Sequence, residues 1–180
     1  DNTLYNVATS VQEKPTEAWT AKGTNVGEYP VGIVAGDFKN INGNFSNVEF
    51  VVEDGILTIS KRSVKLTSET ASKPYDGTAL TKPEVTVGGD GFVEGEVSDV
   101  KAIGSVTHVS EGEVTNTITY TEGENFKADN YTIEKDEGEL WITPVTDKVT
   151  VTIKGGKSSV TYNGEEHTVS GYKVSDISNP

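Results

Sequence analysis

The chain has no cysteine and no methionine, and only two histidines among 180 residues. Without cysteine, neither a disulfide nor a thiolate-ligated zinc can staple the fold. Positive charge is also scarce. Fifteen Lys and Arg stand against 28 Asp and Glu, for a formal charge of -13. Such a surface repels phosphate backbones and anionic headgroups, which excludes nucleic acid as a partner and disfavours lipid surfaces. No apolar run approaches the ~20 residues that span a bilayer as a helix, so no membrane insertion is expected. No nucleophile elbow, zinc-protease helix or phosphate-binding loop motif occurs. No cofactor and no catalytic residue are therefore expected. The chain opens on Asp1 and reads as an excised piece, so the lack of a leader carries no information about secretion.

Hydrophobic residues make up only 33% of the chain. Strands that bury one face need few of them, whereas a disordered chain would show no regular pattern. Thr and Val are prominent, with 19 Gly and 6 Pro. β-branched side chains pack well on pleated sheets, and glycine supplies the positive φ of tight turns. Val64-Lys65-Leu66 and residues 149–153 alternate with period two. Residues 115–121 alternate as well, with Ile118 and Tyr120 on one face. Residues 48–52 and 56–59 read as a hairpin around Asp54-Gly55, and 131–135 and 139–142 as a second one around Gly138. The best helix candidate is 10–22, interrupted by Pro15. The expected fold is all-β, in tandem Ig-like β-sandwich domains of antiparallel strands. A β-grasp-like repeat with one short helix is the alternative.

The chain repeats itself out of phase. Aligning Gly55 with Gly138 brings Asn47 to Asn130, Phe50 to Ile133, Leu57 to Leu140 and Ile59 to Ile142. Aligning Tyr75-Asp76-Gly77 with Tyr162-Asn163-Gly164 brings Val64 to Val151 and Leu66 to Ile153. Residues 62–145 then form one complete unit. Residues 1–61 are the C-terminal part of a unit and 148–180 the N-terminal part of another. The competing division makes 1–60 an independent small domain. Sandwiches in tandem enter at one pole and leave at the other, so the linkers at 61–63 and 145–147 are too short for the two parts to meet within one chain. Completion between chains, as a strand-swapped homo-oligomer, is the expectation.

The run Lys73-Pro74-Tyr75-Asp76-Gly77-Thr78-Ala79-Leu80-Thr81 resembles the opening of tandem repeats in large surface proteins of gut Firmicutes and related Gram-positive bacteria. Ala128-Asp129-Asn130-Tyr131-Thr132-Ile133, followed by Gly138-Glu139-Leu140-Trp141-Ile142-Thr143-Pro144, is similar to their closing run. These are MBG-type and related Ig-like adhesin repeats. Residues 149–154, 162–172 and 25–29 resemble a companion repeat. The resemblance implies a wall-attached or secreted surface protein whose partners are neighbouring repeats, serving as a stalk or spacer. A carbohydrate- or mucin-binding module, with a host glycan as partner, is the alternative function.

Individual residues carry weaker signals. His108 and His167 have no nearby ligand partner and read as surface residues. The oxygen-rich 37–44 stretch lacks the spaced acids of a calcium loop. Glu94 with Glu96, or Glu165 with Glu166, would be the acid pairs of a glycosidase, but solvated loops explain them better. Lys65 or Lys154 with Asn47 or Asn130 would be the partners of an isopeptide staple. Strict alternation turns Trp141 away from the face shared by Leu140 and Ile142, so it is a candidate for a ligand or interdomain contact. Trp19 is the second such candidate.

Overall fold

A computed structural model of the chain describes residues 4–14 and 19–178. One helical turn, α1 (Val7–Ser10), precedes β1 (Val11–Glu13), β2 (Gly27–Pro30), β3 (Phe38–Asn40) and β4 (Ile56–Ile59). Then follow β5 (Arg62–Ser68), β6 (Ala71–Pro74), β7 (Leu80–Thr81), β8 (Val85–Gly89), β9 (Val97–Ala102), β10 (Ser105–Val106), β11 (Val114–Thr115) and β12 (Ile118–Glu122). The last are β13 (Tyr131–Asp136), β14 (Glu139–Thr143), β15 (Thr150–Gly155) and β16 (Tyr172–Ser178). The fold is all-β. Val11 turns extended immediately after α1, which ends the 10–22 helix expectation at its first residue; Pro15 lies outside the described residues.

Residues 62–143 hold two apolar clusters. Val64, Leu66, Ile118 and Tyr131 form the first, with Tyr120 packed against it. Leu80, Val106, Leu140 and Ile142 form the second. The alternation read at 64–66 and at 118–120 thus marks core-facing positions.

The two expected hairpins do not form. β13 pairs in parallel with β5, which also takes β8 on its other edge. β14 leaves that sheet, pairing in parallel with β6 and antiparallel with β11. The Asp136-Glu137-Gly138 segment is therefore a crossover between sheets. Gly138 is required there by proximity: a Cβ would lie 2.4 Å from the Glu69 backbone. Its N–H donates to Ser68 Oγ at 3.0 Å, and its carbonyl accepts from Asn116 N–H at 2.7 Å. Residues 48–52 form no strand and β4 pairs with β2 instead. Asp54 there accepts the N–H groups of Gly32 (3.0 Å) and Ile33 (2.9 Å), so the turn signal ties two segments together. The two parallel pairs also depart from the wholly antiparallel sandwich expected.

Parallel pairing fixes the course of the chain. Arg62 lies beside Tyr131 at one end, and Pro74 beside Thr143 at the other. At about 3.3 Å per strand residue, the two ends are separated by roughly 40 Å at most.

β15 and β16 form an antiparallel pair in which every residue is exposed. The offset that aligns Tyr75 with Tyr162 carries Leu66 to Ile153 and Val87 to Val174. Leu66 pairs with Val87 and Ile153 with Val174, so residues 153–155 keep the register of β5 with β8, while a one-residue shift between Thr152 and Ile153 sets residues 150–152 out of it.

Candidate functional site

Three places combine shape and chemistry. The first is the contact between the N-terminal strands and the Arg62 end. A 3-10 turn, Ala128–Asn130, presents Asn130 just before β13. Val26 N–H donates to Asn130 Oδ1 at 2.8 Å, and Asn130 Nδ2 donates to Asn25 Oδ1 at 3.1 Å. A cleft of about 480 Å³ opens beside them, lined in part by Glu94, Glu96, Glu124 and Lys127. Buried Tyr131 donates its hydroxyl to Glu96 Oε2 at 2.7 Å and accepts from Val93 N–H at 3.1 Å. Burial, reinforced by the Glu96 carboxylate, pushes the Tyr131 phenol up from its ordinary pKa.

The second is the turn at the opposite end. Lys73 Nζ donates to Asp76 Oδ1 (2.8 Å) and to Thr78 Oγ1 (2.6 Å), and Thr78 N–H donates to Asp76 Oδ1 at 2.9 Å. The Lys73 ammonium, with the Thr78 N–H, holds the Asp76 carboxyl down at about 2. Gly77 follows at φ 80°, in the left-handed region. The Tyr75 ring stands 5.9 Å from the His108 ring, and its N–H donates to Thr143 O at 2.9 Å. Tyr162-Asn163-Gly164 has the same backbone plan: Asn163 Oδ1 accepts Glu165 N–H at 3.1 Å and Gly164 lies at φ 78°. Tyr162, unlike Tyr75, is almost wholly exposed. His167 Nε2 is 2.8 Å from Asn163 Oδ1.

The third is an apolar groove of about 450 Å³ on the N-terminal strands. Val7, Val11, Phe38, Val48, Phe50 and Val52 line it. Phe38 anchors it, ringed by Trp19 (5.5 Å, stacked) and Phe50 (5.8 Å). Trp19 Nε1 donates to buried Asp37 at 3.1 Å, and Lys14 forms an ion pair with the same carboxylate. Lys14, Val34 N–H and Trp19 hold Asp37 below its ordinary pKa. Trp19 is thus a packing residue of this unit, and Asp37 is committed to a lysine.

Trp141 is half-buried on β14 between buried Leu140 and Ile142, paired with Ser72 of β6. Gly55 and Gly138 sit at the two acidic turns; a Cβ on Gly55 would meet only the Val31 side chain, at 2.9 Å. The amide of Asn130 is engaged by Asn25 and Val26, while Lys65 pairs with Asp136 at 3.6 Å, so these two do not meet. Among the described residues no three acidic, His or Cys side chains gather as a metal site. Asn116 was not singled out in sequence. Fully buried, its side chain accepts from Gly104 N–H (3.1 Å) and donates to the carbonyls of Glu69 (3.1 Å) and Lys82 (2.9 Å). The chain matches no protein-family model, no curated protein and no solved structure.

Proposed function

We propose that this chain is a non-catalytic repeat region of a bacterial cell-surface protein, acting extracellularly as a stalk or spacer. Its units are Ig-like: 62–145 is a complete one, 1–61 the closing part of one and 148–180 the opening part of another. Neighbouring repeats of the same protein are its partners. One observation carries the reading. The parallel course of β13-β14 beside β5-β6 sends the chain in at the Arg62 end and out at the Thr143 end, so successive units string end to end. The Asn130 hydrogen bonds to Asn25 and Val26 support it by fastening one junction. The acidic surface keeps such a rod soluble. The repeat motifs quoted above supply the cell-surface setting.

Small-angle scattering tests the spacer role: an elongated particle is expected, and a spherical one overturns it. A carbohydrate- or mucin-binding module is the second reading, favoured by Trp141 on the outer face of β14. A glycan array separates the two. Binding that disappears in Trp141→Ala replaces the spacer with the lectin.

A further inference from the structure

We infer that the apolar groove on the N-terminal strands receives β15 from a second copy of this chain, in parallel with residues 48–53. The inference does not rest on the stalk reading. It rests on an internal template. In the intact unit β5 has two neighbours, β8 on one edge and β13 on the other. β15 and β16 correspond to β5 and β8, in the same register over residues 153–155, and among the described residues no strand pairs with the edge that would take a β13. Residues 48–53, which align with β13, are in the opposite predicament. They alternate between half-buried and exposed, yet pair with no strand among the described residues.

Burial shows the same vacancy from both sides. Val64 and Leu66 are 1% and 0% exposed, whereas their counterparts Val151 and Ile153 are 49% and 60% exposed. A lone two-stranded ribbon with no buried face is marginal in water. The groove offers what it lacks: Phe38, Phe50 and Val52 in place of the aromatic floor that covers β5.

The template also sets the register. Ile133 faces Val64 and Asp136 faces Thr67. Transferred, Phe50 faces Val151, Val52 faces Ile153, and Glu53 faces Lys154 with opposite charge. The chain's own β15 cannot supply this strand. It leaves from the Thr143 end, while the groove belongs to the strands fastened at the Asn130 end. Residues 144–149 reach about 20 Å, half the roughly 40 Å ceiling on the separation of the ends. Two copies exchanging these segments close with two-fold symmetry.

The absence of native cysteine makes a direct test clean. Light scattering of the unaltered chain over a dilution series should show a dimer or larger assembly. Single variants Glu53→Cys and Lys154→Cys, mixed and oxidised, should form a disulfide between chains. Neighbouring strands lie about 4.8 Å apart, within disulfide range. Glu49→Cys mixed with Lys154→Cys should not, because the transferred register sets them four residues out of step. A monomer at every concentration overturns the inference whatever the variants do. So does equal cross-linking by the two mixtures. Neither result bears on particle elongation or glycan binding, so the spacer reading fails or stands separately.

Discussion

Asn130 and Val26 are far apart in sequence, yet the Val26 N–H donates to Asn130 Oδ1 at 2.8 Å. This bond, with the Asn25 contact from the same amide, joins the N-terminal strands to the Arg62 end of β5 and β13. Asn130→Ala should expose the Val26 amide to solvent. One partly buried hydrogen bond is worth about 1 kcal/mol. Val26 should then exchange its proton roughly fivefold faster by NMR, with the amides of β5 unchanged.

Gly138→Ala should be severe. The added methyl meets backbone atoms of Glu69 and Thr70, which cannot step aside as a side chain would. Either β14 separates from β6 or the crossover shifts. A loss of at least about 3 kcal/mol is expected, read as a lower urea midpoint.

Gly55→Ala should behave differently despite the matching repeat position. Its Cβ meets only the Val31 side chain, so stability should fall by about 1 kcal/mol or less. If β15 of a second copy seats as inferred, the backbone that follows it crosses at Gly55 as Glu69 does at Gly138. The variant should therefore remain folded by circular dichroism and shift towards monomer by light scattering.

Asp76 should titrate near 2 by NMR, against an ordinary 3.8. Because the folded pKa is depressed, the turn's contribution to stability is present above about 3.8 and is lost as pH falls towards about 2. Lys73→Ala should return the midpoint towards 3.8. An unmoved midpoint would mean that the ammonium does not hold the carboxylate.

Alternation made the core positions of β5 and β12 legible, because Val64, Leu66, Ile118 and Tyr120 face one cluster with period two. The repeat offset was legible in part, since the β15-β16 register follows it over residues 153–155 and slips by one residue before them. The hairpins were misread for a physical reason. An acidic turn ending in glycine normally signals reversal, but Gly138 is needed because Glu69, remote in sequence, presses on it. Nothing local announces that contact. Trp19 fitted no pattern because its partners, the buried Asp37 carboxylate and the Phe38 ring, lie eighteen and nineteen residues on. Asn116 was invisible for the same reason: its side chain gathers groups from three separate segments.

The two ends of the 62–143 unit must lie at opposite poles if units are to form a rod. Nitroxide labels at Lys61→Cys and Val145→Cys, in chains diluted with unlabelled protein, measure that separation by pulsed electron resonance. One distribution centred somewhat below the roughly 40 Å ceiling is expected from the parallel strand course. A centre near half that length would bring both ends to one pole and contradict the rod.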